Sequence, residues 1–221
     1  MPEAAFLTKA GGRTLMTERN RVTPMGEIVS IPLRGAWTGN RGRLHEGHDI
    51  VRFHSGALWL ICALQFRGRW QEQWKPHHYT FLFFHDEAVA FAAGHRPCAE
   101  CRHGAYIDYL DAWTSELGGP RPSAAQVNAR LHAERLHQGT HRRKLHDSAW
   151  RDIPNGAFVL ESGTPKLVLD DRLVEWTVEG YSAVTSRPRS GSSTLITPPS
   201  TAAVLRAGYP VQIDAAALSA S

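Results

Sequence analysis

Three cysteines in 221 residues, two of them spaced as Cys98-Ala99-Glu100-Cys101, constrain this chain more than any other feature. A pair separated by two residues brings both sulfurs to one point, and soft thiolates there suit zinc better than the hard cations. An odd cysteine count in a chain long enough to bury its own core argues against a disulfide framework. The pair is half of a tetrahedral site. The third thiol, Cys62, lies 36 positions before Cys98 in an apolar stretch. Histidine is the natural fourth ligand, and His45, His48, His54, His77, His78, His95 and His103 share this half of the chain. His45, in a glycine-flanked loop able to reach over the pair, is the preferred one. The competing readings are a redox dithiol for the pair and a small buried hydrophobe for Cys62.

The pattern around these residues predicts an α+β fold, with a zinc-knuckle strand-helix half, then helices, then a small antiparallel β-rich C-terminal part. Residues 27–33 read as a strand ended near Pro32, and 35–47 as a Gly/Arg-rich loop. Residues 57–66 form the strongest strand signal, apolar enough to be covered on both faces. Residues 79–84 form an aromatic strand, and the two are expected to pair antiparallel across a loop carrying Trp70, Trp74, His77 and His78. Asp86 and Glu87 open a helix that Gly94 stops. Tyr106, Tyr109, Leu110, Trp113 and Leu117 fall on one stripe of a second helix. Ser123 with Gln126 makes the capping box of a third, running to about residue 137. Strands at 157–160, 166–169 and 173–176 follow, then a mobile loop at 186–193 and a short helix at 200–207. The division expected is a flexible arm (1–20), a zinc-binding α+β region (21–118), a basic helical linker (119–152) and a β-rich region (153–221).

The segment Phe83-Phe84-x-x-Glu87-Ala88-x-x-Phe91-Ala92-Ala93-Gly94-His95-Arg96-Pro97-Cys98-x-x-Cys101-Arg102 resembles the zinc-binding segment of the Ada DNA-repair family. The similarity covers about twenty residues. It implies a structural zinc in a small strand-helix unit that contacts DNA, and it puts Cys62 near the upstream cysteine pair, one of which accepts a methyl group in Ada. Here Cys62 has no second cysteine beside it, and nothing after residue 118 resembles the rest of that protein. Segments 20–26 and 39–42 resemble those of a bacterial family to which no activity is attached.

Charge adds a candidate partner. The net charge is +4, and only four of the 25 cations are lysine, a skew toward the planar fork that grips phosphate or carboxylate. Seven cations fall between Arg121 and Arg151 against two acids, whereas residues 153–221 carry five cations and six acids. Arg96 and Arg102 flank the cysteine pair and, with Arg41 and Arg43, are the expected phosphate contacts. Arg96 and Arg102 can equally pair with Glu87 or Glu100. Trp70 and Trp74, among Arg67, Arg69 and Lys75, have the mix that stacks bases. His132 with Glu134, and His137 with His141, make a second polar cluster, read as a solvated basic surface. No apolar run spans a membrane and no secretory signal is evident, so a cytoplasmic protein is expected. The leading expectation is a zinc protein that binds or acts on nucleic acid, possibly in DNA repair. The rival is a small-substrate metalloenzyme, a hydrolase or transferase, with an open zinc position. A three-ligand site at the base of an apolar pocket would favour the rival.

Overall fold

The computed structural model describes residues 17–69 and 72–220. Most of the expected N-terminal arm, and Trp70, lie outside them. The fold is α+β, with an antiparallel β-rich C-terminal part. In chain order come β1 (Arg21–Val22), β2 (Ile28–Val29), β3 (Trp37–Asn40), a small hairpin of β4 (His45–Glu46) and β5 (Asp49–Ile50), β6 (Leu60–Cys62), β7 (Leu82–Phe84), α1 (Glu87–Ala92) and β8 (Arg96–Pro97). Two longer helices follow, α2 (His103–Leu117) and α3 (Ala124–Arg135). Then come β9 (His146–Ala149), β10 (Phe158–Glu161), β11 (Thr164–Leu169), β12 (Arg172–Thr177), β13 (Gly180–Ser186), β14 (Ser192–Leu195), α4 (Pro199–Arg206) and α5 (Ala215–Ser219).

The first sheet has the order β2-β1-β7-β3-β6-β8 and mixes parallel and antiparallel pairs. The expected pairing of the apolar and aromatic strands is corrected here, because β3 lies between β6 and β7 and pairs with both. Gly39 makes this possible. A Cβ at that position would lie 2.0 Å from the Leu60 carbonyl oxygen and 2.7 Å from the Phe84 ring, so only glycine lets the three strands close up. The 57–66 stretch is also less covered than its composition suggests. Ile61 is fully buried, but Leu58 and Leu64 are about half exposed.

The helices form where the caps and stripes put them. Asp86 accepts the Val89 N–H at 2.8 Å, and every residue of α1 is buried. Tyr106, Tyr109, Leu110 and Trp113 are the buried stripe of α2, and Ser123 and Gln126 close both bonds of the capping box on α3. The second sheet, β13-β12-β11-β10-β14-β9, is antiparallel throughout. Its first hairpin turns on Ser162 and Gly163, both at positive φ, the two-residue turn whose twist matches its strands. The loop expected at 186–193 is shorter than that, since β13 runs to Ser186 and β14 begins at Ser192. Val22, Phe84, Tyr109, Val159 and Leu195 belong to one apolar cluster that spans both sheets. No described helix is long and apolar enough to cross a membrane.

Candidate metal centre

Parallel pairing of β6 with β8 builds the site. Leu60 lies opposite Arg96 and Ile61 opposite Pro97. The Cys98 N–H then donates to the Ile61 carbonyl at 2.9 Å, which sets Cys98 beside Cys62. A turn closed by the Arg102 N–H on the Cys98 carbonyl, 3.1 Å, returns Cys101 to the same place at the start of α2. The three sulfurs all lie within 4.8 Å of one another, close enough to hold a metal ion. Thiolates sharing one tetrahedral zinc sit about 3.8 Å apart, as bonds of about 2.3 Å require. Two backbone donors already serve them: Glu100 N–H to Cys98 Sγ and Ala63 N–H to Cys101 Sγ, each at 3.4 Å.

The thiols divide their protons unequally. Hydrogen bonding from Cys62 is the main cause that pushes Cys98 down to about 5, against the opposing effect of burial, with the Cys101 and Glu100 amides assisting. The same Cys62 bond lowers Cys101. Cys62 moves strongly the other way, because its proton is shared with Cys101 and Cys98 and it is itself buried. A soft divalent ion would suit all three sulfurs at once.

Cys62, Cys98 and Cys101 line a cavity of about 460 Å³. Residues 79–84 alternate across it: Tyr79, Phe81 and Phe83 face the cavity, while Thr80, Leu82 and Phe84 are buried behind them. Burial first, and then the electrostatics of the neighbouring cysteine cluster, raises the Tyr79 phenol. Glu100 and Arg69, both exposed, pair at 2.6 Å on the rim, with Phe66 beneath Arg69. Thr38, Gly39 and Asn40 of β3, paired to β6 with Thr38 beside Cys62, also line the cavity. These last residues escape sequence reasoning because β3 reads as loop. The alternation from Tyr79 to Phe83 is a signal that could have found the aromatic wall.

His45 does not join the cysteines. Its Nδ1 lies 2.6 Å from the Thr80 hydroxyl and its Nε2 3.3 Å from the Lys75 carbonyl, and its ring meets Trp74 edge-on. Both nitrogens are used in packing the β4–β5 hairpin. His48, His77, His78, His95 and His103 are engaged elsewhere, with Glu18, Arg43, the Pro76 carbonyl, Arg41 and the Ala99 carbonyl. Among the described residues, the three cysteines are the one group of ligating side chains drawn this closely together.

Three of the four arginines expected to meet phosphate are occupied inside the protein. Arg102 pairs with Glu87 at 2.6 Å, with side chains 8% and 1% exposed, and lies 3.8 Å over the Trp37 ring. Arg96 donates to Asn128 and to the Pro97 carbonyl, both at 2.8 Å. Arg41 is fully buried on Trp59 and Phe53. Arg43 alone is exposed, 3.2 Å from His77. The reason is shared: residues 94–98 and Arg41 lie in the interior of the first sheet, and Arg102 turns inward onto Glu87. Set against protein-family models, curated proteins and solved structures, the chain matches none.

Proposed function

We propose that Cys62, Cys98 and Cys101 hold one zinc ion whose fourth position faces the cavity, and that a ligand entering the cavity completes the coordination. One observation carries this reading: three thiols lie on the wall of a 460 Å³ cavity with no described imidazole or carboxylate joining them. Zinc held by three protein ligands is a Lewis acid toward whatever occupies the fourth position. The chain's own residues supply the rest. Strand pairing and the two N–H···S bonds fix the sulfurs, Tyr79, Phe81 and Phe83 present flat apolar surface, and the Glu100–Arg69 pair marks the rim. This is the arrangement of a small-substrate metalloenzyme, a hydrolase or transferase.

Nucleic acid as the ligand is the second reading, favoured by the aromatic wall beside exposed Arg67 and Arg69, a combination suited to stacking a base. The Ada-type resemblance over residues 83–102 points the same way, toward alkyl transfer onto a thiolate in DNA repair. Zinc analysis and cobalt spectroscopy test the site. The purified protein should hold one zinc, Cys62→Ser should weaken it more than about 100-fold, and His45→Ala should leave it unchanged. With cobalt in place of zinc, added imidazole should alter the visible spectrum. Retention of zinc by Cys62→Ser, its loss in His45→Ala, or a spectrum blind to imidazole would refute an open three-thiolate site. Salt-sensitive binding of a single-stranded oligonucleotide would favour the second reading over the first.

A further inference from the structure

Behind β6, on the face away from the cavity, Arg41, Arg135 and Arg143 share the interior with no ion-paired acid among the described residues. Arg41 Nε donates to His95 Nε2 at 3.2 Å and NH1 to the Gly26 carbonyl at 2.9 Å. Arg135 donates to the carbonyls of Gly94 and Ala57, both at 2.7 Å, and Arg143 to those of Ala92, Ala93 and Ile196. Arg41 NH2 and the Nε atoms of Arg135 and Arg143 are buried with no partner. Trp59 lies under two of them, 4.1 Å from the Arg41 carbon and 3.8 Å from that of Arg135. Among the described residues, no carboxylate forms an ion pair with any of the three. Carbonyls and ring faces orient guanidiniums but do not neutralise them, and buried charge without a counter-charge is strongly unfavourable. Burial, then Arg143, draws Arg41 well below arginine's ordinary range, and burial, then Arg41 and Arg143, draws Arg135 down to about 8.

Three histidines lie over this cluster. The His54 ring centroid is 5.1 Å from that of His132 and 5.3 Å from that of His141. His54 and His132 are half-buried and His141 is exposed. A histidine trio suggests a metal, but the tautomers oppose it. The Gly56 N–H donates to His54 Nδ1 at 3.3 Å, and Arg135, which can only donate, meets His132 Nδ1 at 3.0 Å. The neutral His54 and His132 rings therefore carry their protons on Nε2 and offer donors, not lone pairs. The charges facing His54 are His132, His141, Arg135 and Arg41, all cationic or able to become so. Glu134, the acid nearest in sequence on α3, is engaged by Arg130 and Ser200.

We propose that His54, His132 and His141 form a binding site for a phosphate group, free or as an ester, with the buried arginines supplying uncompensated positive charge from beneath. The ring donors, the tautomers set at His54 and His132 and the missing counter-charge all select a multiply charged oxyanion. This site is separate from the thiol centre, since Trp59 and Ile61 are buried on one side of β6 while Leu60 and Cys62 line the cavity on the other.

Titration with inorganic phosphate at constant ionic strength, in chloride, with NMR of the histidine rings as the readout, tests the proposal. Saturable shifts confined to the three rings are expected, and His141→Ala and His132→Gln should each weaken binding about tenfold. His141 is exposed, so its variant should fold as the parent does. Sulfate keeps its charge between pH 8 and 6, so tighter sulfate binding on acidification would report the histidines themselves. Displacement of phosphate by a single-stranded oligonucleotide would assign the site to a phosphodiester, and no displacement to free phosphate or a monoester. No saturable shift, an affinity unchanged in both variants, or zinc shifting the rings where phosphate does not would overturn it.

Discussion

The two sheets of this protein are built by different rules. Strands of the first are two to four residues long and, apart from the β1–β2 pair, meet partners far away in sequence, some parallel and some antiparallel. Strands of the second run up to seven residues, and β10 to β13 follow one another as adjacent antiparallel hairpins. The thiol centre belongs to the first, and the arginine cluster packs against it, with Arg41 from its own segments and Arg135 and Arg143 from α3 and the residues after it. Short strands joined by long excursions bring side chains from many segments to one place, and the price is dependence on single contacts that nothing duplicates. Local hairpins distribute the same stability over many equivalent pairs.

Breaking one contact in each region measures that difference. The largest effect is expected from Glu87→Gln. Glu87 is 1% exposed, accepts from Arg102 and from the Tyr209 hydroxyl at 2.9 Å, and its loss of charge leaves a nearly buried guanidinium unpaired. Urea unfolding should show a loss of about 3–5 kcal/mol, the cost of removing one partner of a buried pair. A loss below about 1 kcal/mol would show that the first sheet tolerates such damage. Next comes a pair of identical substitutions. Gly39→Ala forces a methyl into the Leu60 carbonyl and should lose about 3 kcal/mol. Gly163→Ala meets nothing within 4 Å and suffers only the left-handed turn geometry, about 1 kcal/mol. Equal losses would erase the contrast between the sheets.

The smallest effect is a dependence on pH. Burial, followed by His132, His141, Arg135 and Arg41, lowers His54 from 6.5 to about 4. Between those values the unfolded chain binds the proton and the folded one does not, so stability is full above pH 6.5 and declines as pH falls toward 4. In chloride buffer without phosphate, His54→Asn should flatten the fall of the melting temperature over that window. An unchanged slope would show that His54 contributes nothing to it.

The same contrast explains what the sequence discloses. Turns at residues 162–163 and 170–171, the Asp86 cap and the Ser123–Gln126 box are local signals, and strands and helices stand where they point. The Cys98–Cys101 pair is local too, and Cys62 meets it. β3 was hidden because the glycine that lets it sit between β6 and β7 is also the commonest mark of a loop. The place of His45 depends on Thr80 and Trp74, 35 and 29 positions away, and no spacing rule carries that information. The His54, His132 and His141 trio comes from three segments and has no motif at all.

Asp86 and Glu87 also tie the two ends of the chain's history together. Their carboxylates accept from the backbone of Gln212 and Asp214 and from the hydroxyls of Tyr181 and Tyr209, and Gln212 in turn accepts from Trp37, beneath Arg102. Arg102 is the neighbour of Cys101. During synthesis, residues 86–102 therefore leave the ribosome roughly eighty to a hundred and thirty residues before these later donors that seat them. Until residue 214 has emerged, the segment carrying the thiol centre holds two buried carboxylates short of these partners, so its final packing depends on the last residues of the described chain.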